Sequence, residues 1–162
     1  MPSLQSETER PTGAQADTTL RMSRVFAASR LRVFRAFTDP SHLVRWWGPE
    51  GYDVPEIRLD PRPGGEWRTC MRSPTGSQHC VGGVYKEVSP PERLVLTWIW
   101  DGEDMDGLET LVTLEFHEAA GGTELRLTHE ALPSVSSRDK HGGGWGSSFD
   151  CLEAFLREEE KI

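Results

Sequence analysis

The chain has 162 residues, with 18 Lys and Arg against 26 Asp and Glu, for a formal net charge of −8. This is the size of one domain, and so acidic a balance excludes a surface that grips nucleic-acid phosphates through Lys and Arg. No apolar run approaches the roughly 18 residues that cross a bilayer, and three cysteines are an odd number for a disulfide framework. The first 20 residues lack the apolar stretch of a secretory signal, so a soluble, cytoplasmic protein without membrane insertion is expected. Hydrophobic residues make up only 36% of the chain, yet there are six Trp and six Phe.

Residues 1–17 are polar and aperiodic, with Pro2, Pro11 and Gly13. They predict a disordered tail, leaving 18–162 as a single domain. Leu20, Met22 and Phe26 stand among polar neighbours and predict a first strand from Thr19. Ser29 can cap a helix whose Leu31, Phe34 and Phe37 fall three apart. Asp39-Pro40 is a second start signal, a cap followed by Pro at the first helical position. That short helix would carry Leu43, Val44, Trp46 and Trp47 and stop at Gly48-Pro49.

The middle of the chain reads as consecutive strands joined by turns: Tyr52 to Leu59, Glu66 to Arg72, Gln78 to Val88, Arg93 to Trp100, Leu108 to His117 and Thr123 to Glu130. Glu66 to Arg72 alternates, with Trp67, Thr69 and Met71 on one side. Leu94, Leu96, Trp98 and Trp100 share a face of their strand. Asp101 to Gly107 is an acidic loop, either simply solvated or a protein-binding face. Pro133 to Gly144, rich in Ser and Gly, predicts a linker that turns sharply into the last helix and could act as a gate. Trp145, Phe149, Leu152 and Leu156 then recur at helical spacing, with Phe155 widening the stripe. Strands joined by tight turns make an antiparallel sheet, and the helix stripe supplies the partner for its buried face. The expected class is α+β: a curved antiparallel sheet wrapped around a long C-terminal helix, with two short helices after the first strand.

An ordered set of short motifs runs through this pattern: Phe34-x-x-Phe37-Thr38-Asp39-Pro40, Trp46-Trp47-Gly48-Pro49, Gly64-Gly65-x-Trp67-Arg68, Ser89-Pro90-Pro91-Glu92-Arg93-Leu94, Thr97-Trp98, Gly122-Thr123-x-Leu125, Thr128-His129-x-x-Leu132 and Gly144-Trp145. The set resembles the START-like helix-grip (SRPBCC) superfamily and, within it, the family named for activators of the heat-shock protein 90 ATPase. The likeness spans residues 19 to 158. It implies a sheet gripping the C-terminal helix, with an apolar pocket between them. The superfamily is associated with lipids, sterols, polyketides and hormones. In the eukaryotic activators a similar domain follows a separate chaperone-binding domain, for which the 18 or so residues here are too few.

On that frame Trp67 and Met71 share a face, with His79, Val81 and Tyr85 opposite them across a hairpin. Trp98 and Trp100 continue the surface, and Trp145 and Phe149 descend on it from the helix. With Trp46, Val112, Leu127 and His129 they form the expected ligand-pocket lining. Any one of these aromatics also fits a plain core position. His79, Tyr85 and His129 could orient a ligand or act as acid and base, but no triad spacing and no G-x-S-x-G elbow accompany them, and no catalytic residue is assigned. The histidines at 42, 79, 117, 129 and 141 have no metal-ligand spacing, so no metal or other cofactor is expected. Gly142-Gly143-Gly144 lacks the context of a phosphate loop. Cys70 and Cys80 fall opposite each other in the hairpin, away from Trp67, and a free thiol pair is expected in a reducing compartment. Cys151 is a packing residue of the last helix.

These features support a binder of a small hydrophobic or aromatic molecule, more a non-enzyme than an enzyme. The alternatives are a co-chaperone-like module in the stress response that activates an ATPase of the heat-shock protein 90 type, and an enzyme on a polyketide-like substrate. A homodimer is plausible for so small a domain.

Overall fold

The computed structural model describes residues 17–101 and 108–160. The expected tail, apart from Asp17, and the acidic loop beyond Asp101 lie outside the described residues. Ten elements follow in order: β1 (Leu20–Phe26), α1 (Arg30–Thr38), α2 (Pro40–Trp46), β2 (Asp53–Leu59), β3 (Glu66–Arg72), β4 (Gln78–Ser89), β5 (Arg93–Trp100), β6 (Glu109–Ala119), β7 (Gly122–Glu130) and α3 (Val135–Glu160). The strands form one curved antiparallel sheet in the order β1-β7-β6-β5-β4-β3-β2, and α3 lies against it. This is the helix-grip α+β architecture.

Local chemistry sets the helix starts. Ser29 caps α1, its side chain accepting a hydrogen bond from the Arg32 backbone N–H. Asp39 does two jobs. Its backbone N–H closes α1 on Arg35 O, and its carboxylate accepts from the Ser41 backbone N–H and hydroxyl at 2.9 and 2.7 Å, opening α2. Those bonds, led by the Ser41 hydroxyl, hold the Asp39 carboxyl below its ordinary pKa.

Apolar packing sets the rest. Val33, Phe34, Ala36 and Phe37 of α1 are buried. Phe34 and Phe37 meet Phe116 of β6 edge-on at 5.2 and 5.9 Å, and Phe26 meets Phe149 at 5.9 Å. Phe149, Leu152 and Leu156 of α3 are all 4% exposed or less. Two expected apolar positions prove wet. Leu31 is 50% exposed and Val44 37%, because the stripes of α1 and α2 that meet the core lie on their other sides.

Two further expectations are corrected. Pro133 to Gly144 is not a loose linker; from Val135 onward it is the first part of α3. Ser134 begins the helix, its hydroxyl accepting from Ser137 N at 3.0 Å and its carbonyl from Arg138 N at 3.0 Å. Glycine costs a helix about 1 kcal/mol relative to alanine. Contacts with β1 and the residues just before it offset that cost: Arg138 donates to Asp17 O at 2.7 Å, and Leu20 lies close against Gly142. The gate expected there has no loose segment to use. Cys70 and Cys80 are joined in a disulfide rather than free. They are direct register partners on β3 and β4, so their side chains leave the sheet on the same face.

Replacing Asp39 by Ala removes the cap of α2 and should cost about 1 kcal/mol. Urea denaturation of the two proteins should show a lower midpoint with an unchanged slope.

Candidate functional site

One end of the sheet–helix interface is filled by phenylalanines. The other is built from tryptophans and is open. There β3, β4, β5 and α3 enclose a cleft of about 610 Å³. Alternation along β3 brings Met71 to the concave face, and the register sets His79 of β4 directly beside it. Trp98 and Trp100 of β5 extend the floor. Lys140, His141, Gly144, Trp145 and Ser148 of α3 form the facing wall. The segment after α2 closes one side through Trp47, Gly48, Pro49 and Tyr52. Gly48 has φ +91°, a conformation that favours glycine, and a Cβ there would stand 2.9 Å from Met71 Sδ and push the methionine aside.

The indole N–H groups fix the cluster. A buried donor without an acceptor costs about 1–3 kcal/mol. Trp46 donates to Ala36 O at 3.0 Å, Trp47 to Thr69 Oγ1 at 2.9 Å and Trp67 to Thr97 O at 2.9 Å. Trp100 donates to His141 Nε2 at 2.9 Å and Trp145 to His129 Nδ1 at 3.3 Å. Trp98 is the hub. Its ring centroid lies 5.1–5.8 Å from those of Trp47, Trp67, Trp100, Trp145 and His129. Its own Nε1 is buried with no partner among the described residues.

These bonds also settle the state of two histidines. An indole can only donate, so His129 Nδ1 and His141 Nε2 must be unprotonated. The Thr110 hydroxyl donates to Trp98 O at 2.9 Å, and its oxygen lies 2.8 Å from His129 Nε2, which therefore carries the ring proton. His141 Nδ1 faces Ser137 O at 2.8 Å and donates to it. Both rings are neutral and both are spent. Burial, aided by the neighbouring His141, pushes the pKa of His129 down to about 3, and burial lowers that of His141 as well.

Of the residues expected on the pocket, the structure places Met71, His79, Trp98, Trp100 and Trp145 on the cleft wall. It places the others elsewhere. Trp46 packs edge-on against Phe37 at 4.8 Å, under α1. Trp67 lies behind Trp98. Val81, Leu127 and Phe149 are 0–1% exposed core residues. Tyr85 and Val112 border a separate internal void of about 20 Å³, and burial, with the charge of Asp60, raises the Tyr85 pKa. His129 is fully buried behind Trp98 and Trp145.

Sequence reasoning missed Trp47, which it gave to the covering helix. It also missed Lys140 and His141, which the expected linker concealed, and Ser148, which lies in the expected helix beside its apolar stripe. Part of the signal was present: His141 stands four residues before Trp145, in phase with its stripe, whereas Lys140, Gly144 and Ser148 form a neighbouring row turned roughly 60–140° from it.

A second depression of about 600 Å³ lies at the other face of β3–β5, over Gly82 and Gly83. Two of its three arginines are firmly committed, Arg62 to Asp60 at 3.0 Å and Arg68 to Asp101 at 3.0 Å and Glu56 at 3.2 Å, and Arg58 stands 3.9 Å from Glu56. The aromatic cleft is therefore the better candidate for an apolar ligand. Among the described residues no group of three or more His, Cys, Asp or Glu could hold a metal ion, and no helix is long and apolar enough to cross a membrane.

Comparison with known proteins adds the following. The family model described as "Activator of Hsp90 ATPase homolog 1-like protein" matches residues 27–157. A crystal structure of the AHSA1 protein from Silicibacter pomeroyi is 34% identical, with a TM-score of 0.79, covering 87% of this chain and 99% of that one. A protein from Chromobacterium violaceum is 31% identical, with a TM-score of 0.75 and coverage of 84% and 95%. One from Rhodobacter sphaeroides is 27% identical, with a TM-score of 0.76 and coverage of 89% and 96%. No curated protein matches the chain.

The neutral histidines predict a pH dependence of stability. Unfolded, each imidazole takes up its proton near pH 6.5; folded, each resists it. The stability they supply is whole above about 6.5 and is lost as pH falls from there toward 3 for His129, at up to about 1.4 kcal/mol per pH unit for each ring. Urea midpoints measured from pH 7 to 4 should fall accordingly. His129→Gln, which can still accept and donate but cannot titrate, should be less stable at pH 7 and show a shallower slope.

Proposed function

The chain belongs to the Activator of Hsp90 ATPase homolog 1-like family, and from that premise we propose that it is a soluble cytoplasmic binder of a small apolar or aromatic molecule, held in the cleft between β3–β5 and α3. The observation that carries this is the cleft itself. Trp47, Trp98, Trp100, Trp145 and Met71 meet in a space of about 610 Å³, within the 300–1,000 Å³ usual for small-molecule sites. A core of this composition would close if filling were its only purpose; here four indoles border open volume. Indole faces suit flat apolar partners.

An acid–base enzyme is less well supported. His129 and Tyr85 do not reach the cleft, and both nitrogens of His141 are engaged. His79 remains at the rim without an orienting carboxylate among the described residues. The family's description favours a second reading, activation of an Hsp90-type ATPase. It predicts faster ATP turnover when the protein is mixed with such a chaperone, and unchanged turnover removes it.

Gly144 offers a test that separates binding from folding. A Cβ at this position meets nothing within 4 Å. Gly144→Leu should therefore project into the cleft, while gaining up to about 1 kcal/mol of helix stability. Native mass spectrometry and thermal-shift screening against a library of aromatic and aliphatic compounds should find binders of the wild-type protein that the variant no longer holds. Gly143→Ala, on the exposed side, should gain stability and keep binding. A library without a single binder would overturn the proposal.

A further inference from the structure

Resting on the cleft reading above, we infer that the ligand is an aromatic molecule carrying an anionic oxygen group, with the anion held by Lys140 and the apolar body lying over Gly144 toward Ser148. Three observations point this way, and they lie in one row of α3.

The first is charge. The cleft lining includes two formally charged side chains, Asp101 and Lys140. Asp101 is taken by Arg68 at 3.0 Å. Lys140 has no ion-pair partner among the described residues, and the neighbouring Asp139 is paired with Arg138 at 3.1 Å. His141 is neutral and both its nitrogens are occupied. Among the described residues the uncommitted charge of the lining is thus a cation, in a protein whose net charge is −8.

The second is space. Lys140, Gly144 and Ser148 stand four residues apart, about 6 Å per step along the axis, on one side of the helix. With no side chain at Gly144, this row is a channel floored by backbone and flanked by Trp145 and Trp98. A Cβ at Gly144 would meet nothing within 4 Å, so the row is open to a flat ring system.

The third is an unused hydroxyl. Ser148 is 6% exposed, borders the cleft, and has no hydrogen-bond partner among the described residues. Its oxygen is not fully buried, so the hydroxyl is available to a ligand in the cleft. Ser148 lies about 12 Å from Lys140 along the helix, where it can donate to a second polar atom of the ligand or accept from it. An anion at the mouth and a polar atom at the far end, joined by an aromatic body, use every free polar group of this row.

A matched pair of fluorescent probes tests the idea on the intact protein. 8-Anilinonaphthalene-1-sulfonate and N-phenyl-1-naphthylamine share one aromatic body, and only the former carries an anion. Both should bind, the sulfonate more tightly. Lys140→Gln should weaken the sulfonate about fivefold and leave the neutral probe unchanged, as expected for one solvent-exposed charge pair. Raising the salt concentration should weaken the sulfonate alone. Gly144→Leu should expel both probes, and Ser148→Ala should weaken a probe bearing an added hydroxyl more than its parent. Lys140 is exposed, so its replacement leaves the fold intact, which far-UV circular dichroism checks. Equal binding of the two probes, or a sulfonate affinity indifferent to Lys140→Gln, would overturn this inference while leaving the cleft as an apolar site. Retention of both probes by Gly144→Leu would place them outside the row and overturn it too. Failure of both probes to bind the wild-type protein would overturn the cleft reading beneath it.

Discussion

Five rings close on Trp98, and much of the open end of the molecule depends on how that crowd is satisfied. A buried indole brings a large apolar surface and one donor that costs free energy when it lacks an acceptor, as Trp98 Nε1 does among the described residues. Here the acceptors come from every layer: backbone carbonyls of α1 and β5 for Trp46 and Trp67, a threonine of β3 for Trp47, and two neutral imidazoles for Trp100 and Trp145. Each bond orients a ring; Trp47, Trp100 and Trp145 line the cleft, and Trp46 and Trp67 pack away from it. His129 and His141 are therefore positioning groups for tryptophans. Their neutrality is a consequence of what they accept.

This arrangement divides the sheet–helix interface into two ends with different tasks. Phe26, Phe34, Phe37, Phe116 and Phe149 pack edge to face and fill the space between β1, β6, α1 and α3. The tryptophans stand at the other end, where α3 carries Gly142, Gly143 and Gly144. Glycine there costs helix stability but keeps the cleft side clear at Gly144 and lets Leu20 approach at Gly142. A helix optimised only for stability would use alanine at such positions.

Much of the fold is legible in the order of residues. Clean alternation locates β3 and β5 to the residue, and the phase of Trp145, Phe149, Leu152 and Leu156 identifies the gripping face of α3. The Asp39-Pro40 start of α2 is equally local. Legibility fails where tertiary contact overrides propensity. Ser136 to Gly144 has the composition of a linker, and it is helical because Ser134 caps it and β1, with the residues just before it, supports it. Lys140, His141 and Gly144 of the cleft wall were hidden for that reason. Leu31 has the right spacing for an apolar stripe, but the direction from which the core approaches α1 is not written in α1 alone.

By itself, then, the sequence determined the period of each element, the turn positions, the pairing of neighbouring strands and the concentration of aromatic surface on the sheet–helix grip. These follow from backbone sterics and short-range spacing, which act over a few residues. The tertiary structure decided which aromatics border open space and which are core, that His129 faces Trp145 while His79 stays at the rim, and that Cys70 and Cys80 are joined. Only it shows that Lys140, Gly144 and Ser148 share a row on the cleft. Such facts depend on the curvature of seven strands and the angle at which one helix crosses them, and no stretch of the chain encodes that angle locally.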